Sequence, residues 1–112
     1  MQSEKIGPLG PVTAGMEDYL ATIYALLAEG ELVISARLAE HLGVGPSSVA
    51  GMSKRLVDAG YAQFNERREI LLTESGRSIA ENAVRRHRLA ERILTDLLGF
   101  DWVEAHTEAH SL

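Results

Sequence analysis

A short turn between two helical segments limits the fold of this chain more than any other feature of its sequence. Gly43-Val44-Gly45 separates a segment that Ser35 can cap from a segment that begins at Pro46. Glycine readily ends a helix, and proline suits the first helical position because its missing N–H would be unpaired there. Two helices of about eight and fourteen residues, joined by a glycine-bearing turn, predict a helix-turn-helix.

The residues after these helices predict a β-hairpin. Two short apolar segments, Tyr61-Ala62-Gln63-Phe64 and Glu69-Ile70-Leu71-Leu72, flank the charged turn Asn65-Glu66-Arg67-Arg68. A helix-turn-helix followed by a hairpin is a winged helix. Thr73 can then cap a long helix that runs to about Leu98. The buried candidates on that helix are Ile79, Ala83, Leu89, Ile93 and Leu97.

The segments on either side add a first and a last helix. Glycine and proline at positions 7, 8, 10 and 11 predict a flexible leader over residues 1–12. Thr13 can cap a first helix that Gly30 ends, and Leu32-Val33-Ile34 can pair as a strand. The apolar stripe predicted for the first helix is Met16, Leu20, Ile23 and Leu27. A further helix opens at Asp101.

The outer face of the second helix of the turn is the predicted DNA-reading surface. Its small residues let the helix lie deep in the major groove, and Lys54 with the wing arginines can reach phosphates. Ser47 and Ser48 are the side chains there that can read base edges. The candidate DNA-binding residues are Arg37, Ser47, Ser48, Ala50, Gly51, Lys54, Arg67 and Arg68. A small helical protein with a hairpin and no DNA contacts is the simpler alternative.

Charge and composition permit this interpretation and exclude others. The net charge is −5, yet residues 34–70 carry +1 and the remainder carries −6. The winged-helix segment is therefore the least acidic part of the chain. The absence of cysteine excludes a disulfide framework and a thiolate metal site. The chain also has no signal-peptide pattern and no apolar run long enough to span a membrane, so we expect a cytoplasmic protein.

Histidine and glutamate recur at helical spacing in the last third of the chain. His87 and Glu91 are four residues apart, as are His106 and His110. Side chains at this spacing share one helix face and can bind one first-row metal ion. The alternative is a solvated basic face, because His87 lies within Arg85-Arg86-His87-Arg88. We interpret His41 as a surface residue without a role.

Several motifs in one colinear order resemble the metal-dependent repressors typified by the diphtheria toxin repressor and the manganese transport regulator. The resemblance covers about residues 16 to 112. It rests on Met16-Glu17-Asp18-Tyr19-Leu20, Leu38-Ala39-Glu40, Pro46-Ser47-Ser48-Val49, Leu72-Thr73-Glu74-Ser75-Gly76-Arg77 and Arg86-His87-Arg88-Leu89-Ala90-Glu91-Arg92. It implies a mainly α protein, with a winged helix-turn-helix followed by the first helices of an α-helical dimerisation domain. The implied boundaries are a leader at 1–12, a DNA-binding domain at 13–73 and an incomplete dimerisation and metal-binding domain at 74–112.

The same resemblance implies a set of metal ligands. Asp18 takes the ligand position on the first helix, and His87, Glu91 and His106 match the ancillary site of the iron-type members. His110 falls at a further ligand position, where histidine fits neither the iron-type nor the manganese-type pattern. The family pattern continues with a Glu-His pair beyond Leu112, so we expect the chain to be truncated within the dimerisation domain.

The predicted function is metal-dependent repression of manganese or iron homeostasis genes. A homodimer would bind a palindromic operator in double-stranded DNA, and a metal ion bridging the two domains would favour the DNA-competent arrangement. Carboxylate and imidazole ligands point to Mn(II), with Fe(II) as the alternative and other divalent transition metals able to bind in vitro. A winged-helix repressor that responds to a small molecule, with incidental histidines, is the alternative function. No nucleophile motif suggests an enzyme.

Overall fold

The computed structural model describes residues 6–7 and 10–98. The chain divides into two compact units, Met1–Glu81 and Asn82–Leu112. In the first unit, two-residue strands β1 (Ile6–Gly7) and β2 (Gly10–Pro11) pair antiparallel. The flexibility expected of this leader stays a prediction.

Helix α1 (Ala14–Ala28) begins where its cap predicts. The Thr13 side chain accepts a hydrogen bond from the Met16 amide at 3.1 Å, which satisfies one of the unpaired donors at the helix start. Three predicted stripe positions are buried, but Leu26 is buried in place of the predicted Leu27, which is only partly covered. Both leucines border the same face, and only the packing of the neighbouring elements decides between them.

Helices α2 (Ser35–Leu42) and α3 (Pro46–Asp58) form the predicted helix-turn-helix. Gly43 has a φ of 69°, a left-handed conformation that glycine adopts without steric cost. The prediction that the Ser35 side chain caps α2 is wrong, because Ile34 is the capping residue and no side chain caps the helix. The extended backbone that leads into α2 ends at Ile34, one residue before Ser35. It is held there because the Val33 carbonyl accepts a hydrogen bond from the Ile70 amide at 2.7 Å.

Strands β3 (Ala62–Phe64) and β4 (Ile70–Leu72) form the wing, with Ala62 opposite Leu72 and Phe64 opposite Ile70. The predicted strand at 32–34 does not form. Among the described residues, this segment makes one backbone hydrogen bond to the wing, from the Ile70 amide to the Val33 carbonyl. At the wing turn, the Asn65 side chain accepts hydrogen bonds from the amides of Arg67 and Glu69, both at 2.9 Å. These bonds close the turn.

The core of the first unit lies between α1, α2, α3 and the wing. Its largest fully buried side chains are Leu20, Ile23, Leu38, Leu56, Ile70, Val33 and Val49. Burial of apolar side chains contributes about 1.5–3 kcal/mol each for a residue of this size, so these residues are the main source of stability.

Helix α4 (Glu74–Leu98) is attached to the wing through its N-terminus. Thr73 Oγ1 accepts from the Gly76 amide at 3.1 Å and donates to the Gly60 carbonyl at 2.7 Å, as expected of a capping residue. The Thr73 amide donates to the Tyr61 carbonyl at 3.2 Å. The start of α4 is therefore fixed to the turn that follows α3.

The apolar positions of α4 separate into a buried and an exposed group. Ile79 is buried and Ala83 is half-buried, but Leu89, Ile93 and Leu97 are 57%, 47% and 76% exposed. Their predicted burial is wrong for the described part of the second unit, because a single helix cannot cover its own face. The helix predicted from Asp101 lies outside the described residues. None of the described helices is both long enough and apolar enough to cross a membrane.

Candidate nucleic-acid and metal sites

Helix α3 presents two faces of opposite character. Val49, Ser53 and Leu56 are buried at spacings of four and three, so the helix is anchored along one stripe. The opposite face is exposed and carries Ser47, Ala50, Gly51 and Lys54. Three of these four residues have small side chains, so the backbone of α3 can approach another molecule closely.

The other predicted DNA-binding residues are also exposed. Ser48 lies in the first turn of α3, Arg37 in the first turn of α2, and Arg67 and Arg68 at the wing turn. All of them belong to the first compact unit. Their contact with DNA remains a prediction.

The basic side chains are held only loosely by neighbouring acids. Lys54 Nζ lies 2.9 Å from an Asp58 carboxylate oxygen, with the two side chains 77% and 45% exposed. Arg37 pairs with Glu31, also at the surface. Exposed ion pairs contribute at most about 1 kcal/mol, so these cations can exchange their carboxylate partners for phosphates at small cost.

Replacing Lys54 by alanine is expected to weaken binding to all duplexes alike. Removal of one phosphate-contacting cation lowers the slope of log K against log salt by about one unit. A salt titration of DNA affinity measures this slope. Arg92→Ala, which removes an exposed cation from α4, is the matched control and should leave the slope unchanged. Equal slopes for Lys54→Ala and the wild type would contradict the assignment.

Ser53 is a residue of this helix that sequence reasoning missed. It is 4% exposed and is the buried polar residue among those described. Its position four residues after Val49 and three before Leu56 places it on the apolar stripe, which was the available signal. Met52, on the neighbouring side of the helix, is partly buried and packs against the core.

One pair of predicted metal ligands lies together on α4. His87 Nε2 is 3.1 Å from Glu91 Oε2, and the side chains are 33% and 16% exposed. An imidazole and a carboxylate side by side on one helix face fit a first-row divalent metal by donor type. Within residues 6–7 and 10–98, no group of three or more His, Asp or Glu residues gathers closely enough to complete a site. His106 and His110 lie outside the described residues, and Asp18 is exposed on α1.

A winged helix with small and basic residues exposed on the second helix of its helix-turn-helix is typical of DNA-binding proteins. Residues 12–70 match the iron dependent repressor N-terminal DNA binding domain, and residues 73–112 match the iron dependent repressor metal binding and dimerisation domain. The chain therefore belongs to the iron-dependent repressor family. This confirms both the resemblance and the predicted fold class.

Individual relatives agree with this assignment. The iron-dependent repressor IdeR of Mycobacterium tuberculosis is 42% identical over 93 residues, which cover 83% of this chain and 40% of that protein. The diphtheria toxin repressor of Corynebacterium diphtheriae is 40% identical over 93 residues, covering 83% and 41%. A manganese-dependent transcriptional repressor solved in complex with manganese is 35% identical, with a TM-score of 0.76 over 86% of this chain and 44% of that one. The chain thus spans about two fifths of the length of these relatives.

Proposed function

We propose that this chain is the DNA-binding domain and the start of the metal-binding domain of a metal-dependent transcriptional repressor. The observation that carries the proposal is the exposed face of α3, flanked by basic side chains of α2 and the wing. Such a face fits the major groove, while the wing arginines lie where they can reach the sugar–phosphate backbone. The proposed protein is cytoplasmic, regulatory and not an enzyme.

The metal we propose is Mn(II), with Fe(II) as the alternative. His87 and Glu91 would contribute an imidazole and a carboxylate, and Asp18, His106 and His110 are the further proposed ligands. Oxygen and nitrogen donors without thiolate suit these ions, although other divalent transition metals would bind in vitro. The names of the relatives refer to both iron and manganese, which supports the pair without choosing between them. A bound metal would supply positive charge that offsets carboxylates in a protein facing a polyanion.

The DNA partner we propose is a palindromic operator bound by a homodimer. Exposed Leu89, Ile93 and Leu97 recur every four residues on α4 and form one apolar stripe. Burial of such a stripe against a second chain supplies the hydrophobic contribution that an isolated helix lacks. A two-fold dimer reads two half-sites about one helical turn of DNA apart.

The test is a mobility shift of the full-length protein on its own upstream promoter, with added Mn(II), Fe(II) or EDTA at fixed salt. We expect a shift with metal that disappears with the chelator. The preferred metal is the one that produces the shift at the lower metal concentration. A shift that is equally strong in EDTA would remove metal from the mechanism and favour a small-molecule effector.

Asp18→Ala is expected to raise the Mn(II) concentration needed for a half-maximal shift by at least about tenfold, because loss of one ligand weakens metal binding. Asp18 is exposed, so the fold should survive the substitution. Glu29→Ala removes an exposed carboxylate at the other end of α1 and serves as the control. Superimposable manganese titrations of Asp18→Ala and the wild type would exclude Asp18 as a ligand.

A further inference from the structure

A cavity of about 230 Å³ lies on the side of the first unit that carries the candidate DNA-binding residues Lys54 and Arg68. It is formed by the start of α2, the side of α3 and the wing, and it opens to the surface. The polar and aromatic residues that line it are Ser35, Ser53, Lys54, Asp58, Phe64 and Arg68. Lys54 and Arg68 are predicted from the sequence to contact phosphates, but a cavity between them is not evident from the sequence.

Ser53 is the lining residue whose hydrogen bonding is incomplete without a ligand. Its side chain is buried, and its hydroxyl has no hydrogen-bond partner among the described residues. A serine within a helix ordinarily bonds back to a carbonyl of the preceding turn, so an unpaired buried hydroxyl is a cost to the fold. The hydroxyl oxygen itself is covered in this rotamer, so it reaches an acceptor oxygen in the cavity by turning about the χ1 bond.

The charges around the cavity favour an anion. Lys54 and Arg68 are cationic, and the single carboxylate, Asp58, is already bonded to Lys54. The cavity also borders Ser35, the first residue of α2, whose N-terminus has no side-chain cap. The amide groups of an uncapped helix start are donors with a partial positive charge.

Arg68 adopts a backbone conformation that arginine rarely takes. Its φ is 62°, the one positive value for a non-glycine residue among those described. Its guanidinium carbon lies 5.2 Å from the centre of the Phe64 ring, and both residues line the cavity. The turn that forces this φ therefore keeps a cation beside the opening.

From these observations we infer that the cavity binds one phosphate group, with the Ser53 hydroxyl, the first amides of α2 and the Arg68 guanidinium as donors. The phosphate comes either from the DNA backbone or from free anion. A phosphate from the DNA backbone would make Ser53 a further DNA-binding residue, and this case rests on the proposed function. The unpaired hydroxyl is then satisfied only in the complex.

The experiment compares Ser53→Ala with the wild type as metal-loaded, full-length protein. We expect affinity for operator and for unrelated duplex to fall about tenfold each, because a hydrogen bond to a charged group is lost. The salt slope should not change, since serine is neutral. The melting temperature should stay equal or rise, because an unpaired buried hydroxyl has been removed. Ser78→Ala, at an exposed position of α4, should alter neither property.

A second arm separates the two sources of phosphate. Inorganic phosphate is compared with chloride at equal ionic strength in thermal unfolding without DNA. Stabilisation of the wild type but not of Ser53→Ala, with equal DNA affinities, identifies a free-anion site. Loss of DNA affinity without a phosphate effect identifies the DNA backbone. Equal DNA affinity together with an equal phosphate response would overturn the inference, even if metal-dependent repression holds.

Arg68→Gly should keep the fold, because glycine adopts a positive φ freely. A loss of DNA affinity in this variant is therefore not explained by misfolding. We expect DNA affinity to fall and the salt slope to drop by about one unit while the melting temperature is retained. An unchanged DNA affinity together with an unchanged thermal response to inorganic phosphate would contradict the proposed donor set.

Discussion

Gly76→Ala is expected to destabilise the winged helix by about 3 kcal/mol or more. A Cβ atom at position 76 would lie 1.9 Å from the Tyr61 carbonyl oxygen and 2.8 Å from its carbon. Both are backbone atoms, so no side-chain rotation relieves the overlap. Urea unfolding followed by circular dichroism measures the loss of stability.

Gly51→Ala is the matched control for that substitution. It makes the same exchange within a helix, but a Cβ at position 51 meets no atom within 4 Å. Alanine has the higher helix propensity, so the free energy of unfolding should rise by up to about 1 kcal/mol. The two substitutions should therefore change the free energy of unfolding in opposite directions. Wild-type stability for Gly76→Ala would show that α4 does not approach the Tyr61 backbone as described.

His87→Ala is expected to lower the affinity for Mn(II) by about 100-fold, because the variant loses a proposed ligand whose neighbour Glu91 remains. The contact between the two side chains, 3.1 Å from Nε2 to Oε2, contributes little to helix stability because the pair is partly exposed. The helical signal should therefore be retained. Competition with a fluorescent chelator on the full-length protein measures the affinity.

His41→Ala removes an imidazole from the exposed end of α2 and is the control for histidine loss in general. Its metal affinity should equal that of the wild type. If His87→Ala also binds Mn(II) with wild-type affinity, the basic-face interpretation of the segment around His87 is favoured instead.

The candidate DNA surface was largely predictable from the sequence, whereas the cavity beside it was not. Alternation of apolar and small residues on α3 places Lys54 and Gly51 outward whatever the helix packs against. Ser53 lies on the apolar stripe by its spacing from Val49 and Leu56, but a polar side chain at such a position does not by itself reveal that it is buried. Its burial depends on where α2 and the wing lie, which local spacing does not specify.

The sequence by itself determined the points at which the chain changes direction. Thr13 and Thr73 cap α1 and α4, and Gly43 and Pro46 mark the turn between α2 and α3. Each of these effects arises within a few residues, from a side-chain oxygen, a positive φ or a missing N–H.

Only the tertiary structure decided which borderline side chains are buried. Leu26 replaces Leu27 in the core, residues 32–34 make one bond to the wing instead of a strand, and Leu89 remains exposed on α4. Burial is a property of two surfaces in contact, and periodicity describes only one of them. The sequence therefore predicted the elements and their faces, and the packing of neighbours determined what those faces meet.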